Sequence, residues 1–117
     1  MLSLIDRAFA VLLVLGAAGH ALGSLTLLPS GSDTQVWGLG SALCAALVGA
    51  LNFLRVGRPG DKPVLWLALL GSAGWLGIVV LFARTLGTVA DFRVIWHGLT
   101  AIALTGFGAR TLFQDRI

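Results

Sequence analysis

The chain has 117 residues, of which 57% are hydrophobic and only 11% charged, with a single cysteine. That length fits one domain; the composition excludes a disordered chain and a water-soluble globule, and one cysteine excludes a disulfide scaffold. The isoelectric point near 10.6 does not indicate nucleic acid: the net charge is only +3, and the basic residues sit at the ends of apolar stretches rather than along a stripe.

The charges leave residues 8–32, 34–54, 63–83 and 94–109 uninterrupted. A helix rises 1.5 Å per residue and needs about 20 mostly apolar residues to cross ~30 Å of hydrocarbon. The expected fold is therefore an all-α integral membrane protein, one transmembrane domain over 1–117, with helices at about 5–28, 36–54, 63–83 and 92–112. The first opens on Ser3-Leu4-Ile5-Asp6, which has capping-box spacing, and stops at Pro29-Ser30-Gly31-Ser32-Asp33. Asp6 beside Arg7 and the length of the apolar run speak against a cleaved signal peptide. The second carries Trp37 at an interfacial position and ends in a basic turn, Arg55 to Lys62. Pro63 opens the third in the favoured first-turn position, and the fourth follows the Arg84–Arg93 connection.

Connections this short predict an up-down antiparallel bundle with the first helix beside the fourth. With the N-terminus inside, Arg7, Arg55, Arg58, Lys62, Arg110 and Arg116 lie on the cytoplasmic side, against Arg84 and Arg93 outside. The positive-inside rule then places both termini in the cytoplasm, in a bacterial cell at the inner membrane. On the same count Arg55, Arg58 and Lys62 are orientation signals that also touch anionic lipid.

An ionisable residue inside a spanning helix is costly and marks a candidate site. His20 and His97 are the two here. Around His20 stand Gly16, Gly23 and Ser24, one turn away, and along the same strip as His97 stand Thr100, Ala101, Thr105 and Gly108, one to about three turns away. Small and hydroxyl-bearing faces pack on other helices, so both imidazoles are expected to point inward. His20 lies ~18 Å from the inner end of its helix and His97 ~6 Å from the outer end of its own, which puts both in the outer half. Trp75, Ser41 and Cys44 reach the same depth, and Arg93 stands one turn before His97, able to hold an anionic group. Asn52 lies apart, near the inner end.

Neutral imidazoles on facing helices are axial ligands for haem b, which needs no attachment motif, and equally partners for a quinone-like molecule. Without a ligand, the two would be hydrogen-bonded to Ser24, Thr100 or a backbone carbonyl. The tentative site is His20, His97, Trp75, Ser24, Thr100 and Arg93, with His20 and His97 as the metal-ligating pair if haem is bound. No HExxH, GxSxG, phosphate-binding loop or paired carboxylates occur, so the expected role is non-enzymatic: binding of a hydrophobic ligand, a cofactor or a partner subunit. The alternatives are an oligomeric small-solute transporter or channel subunit, or an accessory subunit of a larger membrane complex. Gly19-xxx-Gly23 reads as a close-packing motif, Gly71, Gly74 and Gly77 as a smooth side of the third helix, and Cys44 as a small buried hydrophobe.

Overall fold

A computed structural model describes residues 1–114; Asp115 and Arg116, the latter one of the six basic residues that the sequence count expects on the cytoplasmic side, lie outside the described residues. Four helices account for nearly all of it: α1 (Leu2–Leu27), α2 (Asp33–Gly57), α3 (Lys62–Leu86) and α4 (Phe92–Gln114). Each boundary has a local cause. Ser32 accepts a hydrogen bond from Gln35 N at the start of α2, and Asp61 accepts one from Val64 N at the start of α3, each satisfying a first-turn donor. α3 ends at Gly87, whose φ of 71° is the left-handed conformation that closes a helix without a Cβ penalty. Asp91 Oδ1 accepts from Arg93 N and sets the entry to α4.

α1, α2 and α3 are long and apolar enough to cross a membrane. α4 has the length, but His97, Thr100, Thr105 and the glycines Gly98, Gly106 and Gly108 dilute its hydropathy. The buried stripe of each helix follows the 3.6-residue period. It runs Asp6, Ala10, Leu13, Ala17 and Ser24 on α1, and Ala42, Ala45, Gly49, Asn52 and Arg55 on α2. On α3 it is Leu65, Ala68, Ser72, Trp75, Val79 and Ala83, and on α4 Val94, His97, Ala101, Leu104 and Gly108. Most of the other leucines and isoleucines face outward instead: Leu15, Leu22, Leu47, Leu70, Leu99 and Ile102 are all more than half exposed. Small and polar inside with large and apolar outside is the arrangement that lipid, not water, stabilises. Trp37 and Trp66, near the starts of α2 and α3, are exposed as headgroup-level indoles are.

The helices contact in a ring, α1 on α2 and α4, α3 on α2 and α4. The closest approach to a neighbouring backbone is at Gly49. A methyl group there would sit 2.7 Å from Val14 Cγ2 and 2.9 Å from the carbonyl oxygen of Ala10, so the α1 backbone requires a glycine. Gly19 and Gly23 behave differently. A Cβ on either meets no atom within 4 Å, so the motif read as close packing is the bare floor of a groove. Gly74 and Gly77 on α3 likewise face open space. Cys44 is exposed rather than buried, because the inward stripe of α2 passes through Ala42 and Ala45 and leaves Cys44 on the flank.

Candidate functional site

Two polar centres occupy opposite ends of the molecule. One lies where the ends of α1 and α3 meet the starts of α2 and α4, and it holds the two histidines. His20 stands half-buried between Ala17 and Ser24 of the buried stripe of α1, and His97 follows Val94 on that of α4. Their ring centroids are 6.2 Å apart and nearly perpendicular, at 77°. Trp75 of α3 completes the group, its indole 5.6 Å from the His97 ring in an edge contact. Both His97 and Trp75 are more than nine-tenths buried.

The hydrogen bonding there is incomplete. Trp75 Nε1 and His97 Nδ1 are buried with no partner. An unpaired buried donor or acceptor costs about 1–3 kcal/mol, so native structures rarely leave one, and here there are two side by side. A cavity of about 90 Å³ lies against them, bounded also by His20, Ser41 and Phe82. On the other side of the histidines a groove of about 430 Å³ runs between α1 and α4, along Gly16, Gly19, Gly23 and Ser24 and facing Phe92 and Trp96. His20, His97 and Arg93 border both spaces. Trp96 fixes one wall: its Nε1 donates to Leu12 O at 2.8 Å, and its ring covers Gly16, where a methyl would approach the indole to 2.6 Å.

Arg93 covers the rim. Its guanidinium pairs with Asp91 at 2.9 Å and stacks 5.0 Å above the Phe82 ring. The Arg93 side-chain hydrogen bond, more than its charge, holds the Asp91 carboxyl down at about 2. Of the remaining sequence candidates, Ser24 lines the groove, and its backbone carbonyl accepts from Gln35 Nε2 at 3.3 Å. Thr100 does not join them. Its hydroxyl directs its one hydrogen back to Trp96 O and His97 O within α4, so it donates to neither imidazole.

The second centre was not recognised as one in the sequence. Arg55 and Asp6 form a buried ion pair, Nη2 to Oδ1 at 2.7 Å. Arg55 Nε and Nη2 also donate to Asn52 Oδ1, and Nη1 donates to Thr111 Oγ1. Asn52 Nδ2 in turn donates to Ser72 Oγ at 2.8 Å and to Val48 O at 2.9 Å. One network thus joins all four helices. Asp6 is not the acid of a capping box: α1 starts at Leu2 with Met1 as its uncapped N-cap, and Asp6 turns inward to neutralise Arg55. Arg55 is accordingly buried against protein, not presented to lipid as an orientation signal. The visible signal was the i, i+3 pair Asn52 and Arg55 continuing the small-residue stripe Ala45, Gly49.

Among the described residues no group of three or more His, Cys, Asp or Glu side chains comes together. The two imidazoles are the whole donor set of the first centre. No family model, curated protein or solved structure matches the chain.

Proposed function

We propose that this chain is a small, non-enzymatic, polytopic inner-membrane protein that binds one hydrophobic ligand or cofactor in the pocket around His20, His97 and Trp75. The helices form an up-down antiparallel bundle with four crossings and both termini cytoplasmic, which puts the pocket in the outer half of the bilayer. The observation that carries this reading is the pair of orphaned buried nitrogens, Trp75 Nε1 and His97 Nδ1, against a cavity. Inside a bilayer no water compensates them cheaply, and a ligand's polar atoms do.

Haem b is one candidate occupant, with His20 and His97 as its axial ligands. Two metal–nitrogen bonds of about 2 Å plus the ring radii put imidazole centroids about 6 Å apart, near the separation seen here. A ligating histidine, however, normally donates its second nitrogen to an acceptor, and His97 Nδ1 has none. The donor chemistry therefore suits an organic head group better than an iron.

The test is purification from native membranes, followed by a visible spectrum and mass spectrometry of the extracted small molecules. The expected result is one retained hydrophobic compound, lost from a His20→Leu/His97→Leu variant that still folds. A Soret band identifies haem; a wild-type preparation free of any retained molecule overturns the proposal. A reporter fused at either terminus tests the orientation, and a periplasmic signal refutes it.

The buried Asp6–Arg55 network favours a second reading, an oligomeric transport subunit, because polar groups then occupy both halves of the bilayer. It ranks second since Arg55 and Asn52 spend their hydrogen-bonding capacity on each other and on neighbours, closing that end. A strictly monomeric species in native mass spectrometry refutes the transport subunit. Co-purifying subunits would instead assign the chain to a larger complex.

A further inference from the structure

Resting on the pocket as a ligand site, we infer that its occupant is a quinone-type molecule: a neutral, carbonyl-bearing flat ring on a long apolar tail, entering sideways from the bilayer between α1 and α4.

The head-group chemistry follows from what is left unpaired. Trp75 Nε1 is a donor and nothing else, so whatever completes it must present an acceptor. His97 Nδ1 takes either role according to its tautomer, and Arg93 at the rim offers only donors. An acceptor-rich, donor-poor head fits this set, which describes a ring carbonyl better than an amine. Full negative charge is disfavoured in the chamber. Among the described residues the one Lys or Arg bordering it is Arg93, which lies at the rim, is half exposed, and is already paired with Asp91.

Shape narrows the class further. The inner cavity of about 90 Å³ is far below the roughly 300–1,000 Å³ of a pocket that encloses a whole cofactor, and so admits the edge of one six-membered ring rather than a macrocycle. The adjoining groove continues from Leu15 of α1 to Leu28, just past the end of that helix, roughly 20 Å, which is the length of a chain rather than of a ring. Its floor at Gly19 and Gly23 is bare backbone, while Phe92 and Trp96, 5.6 Å apart, supply an aromatic wall. A flat ring lies between such surfaces with little strain. The groove's borders, Leu15, Leu27 and Leu28, are apolar and belong to the lipid-facing side of α1.

The experiment uses the full chain in lipid nanodiscs, titrated with a short-tailed benzoquinone and followed by calorimetry. Saturable binding with one site per chain is expected. Trp75→Phe, which keeps the ring and removes Nε1, and His97→Leu should each weaken it about tenfold or more. Gly19→Leu, which fills the floor, should abolish it, and Gly74→Leu on the outer side of α3 should leave it unchanged. Thermal unfolding of each variant separates lost binding from lost folding, and Gly74→Leu reports the general tolerance for a new leucine. No saturable binding, or binding equal in wild type and all three pocket variants, overturns the quinone assignment. The same variants are titrated with a fatty acid and with haemin. If one of these binds with the His97 and Gly19 dependence while the quinone does not, the quinone assignment falls and the pocket stands. If no probe responds to those substitutions, both fall.

Discussion

Arg55 Nη2 lies 2.7 Å from Asp6 Oδ1, with the two side chains only 3% and 9% exposed, and this bond ties the first turns of α1 to the last turn of α2. A charge in that position cannot be left alone. Removing water from an ion costs several kcal/mol, which a buried partner offsets only if the remaining hydrogen bonds are also made. Here they are made, by Asn52 and Thr111, and through Asn52 by Ser72. The arrangement explains why the end bearing the termini is tight while the opposite end, with its unpaired nitrogens, is hollow.

The pair should therefore show strong coupling in a double-mutant cycle. Asp6→Leu alone leaves Arg55 buried and uncompensated, and is expected to cost about 3–5 kcal/mol. Arg55→Met alone strands Asp6 and should cost a similar amount. The combined variant removes both charges and should recover a large part of either loss, since contacting residues do not add. Thermal unfolding in detergent measures all three; additive losses would show that the two side chains do not act as a pair.

The glycines divide into two kinds, and alanine distinguishes them. At Gly49 the added methyl meets Val14 and the Ala10 carbonyl, so Gly49→Ala forces α1 and α2 apart and should destabilise by about 1–3 kcal/mol. At Gly19 and Gly23 it meets nothing, and helix propensity favours alanine by up to about 1 kcal/mol. Gly19→Ala and Gly23→Ala should thus leave the unfolding temperature unchanged or raise it. Equal losses at Gly49 and Gly19 would mean that the groove is closed in solution.

How far the sequence alone reached depends on which property each residue expresses. Helix number and approximate extent were legible because charge spacing and turn residues such as Pro29 and Pro63 act locally. The inward placement of His97 was legible too, since it continues a stripe of small residues at helical spacing; His20, read the same way, is half-buried, and Trp75 was placed by its depth along α3 alone. Asp6 was misread because a capping box and an inward-facing acid share the same local pattern, and only the position of Arg55, 49 residues away, decides between them. Arg55 was misread for the complementary reason: a basic residue at a helix end serves orientation unless a partner helix covers it. Gly19 and Gly23 misled because small residues permit close packing without compelling it. Thr100 was drawn toward the histidines by spacing, yet its hydroxyl finds carbonyls of its own helix first.

Asp91 gives a measurable titration at the rim. Its carboxyl is lowered from 3.8 to about 2, chiefly by the side-chain hydrogen bond from Arg93. A depressed folded-state value means that the pair's stabilisation is fully present above the unfolded value of 3.8 and is lost as pH falls through about 2. Carboxyl-carbon NMR should therefore find Asp91 still ionised at pH 3. In Arg93→Gln the titration should return toward the ordinary range, and a wild-type midpoint near 3.8 would mean the pair does not persist in solution.

Folding and binding should respond in opposite directions at the histidines. Among the described residues neither imidazole donates or accepts a side-chain hydrogen bond, and His97 Nδ1 is a buried orphan. In the ligand-free protein, His97→Leu removes that unpaired nitrogen and is expected to stabilise by about 1 kcal/mol, with His20→Leu within about 0.5 kcal/mol of wild type. A side chain kept for packing alone would show the reverse, a loss of thermal stability on substitution. The discriminating measurement is the unfolding temperature of the delipidated wild type and both variants, taken before and after incubation with membrane lipid extract. Wild type should gain stability from the extract by mass action on a bound ligand, and both leucine variants should gain less. A destabilised His97→Leu that responds to the extract as wild type does would make the histidines structural.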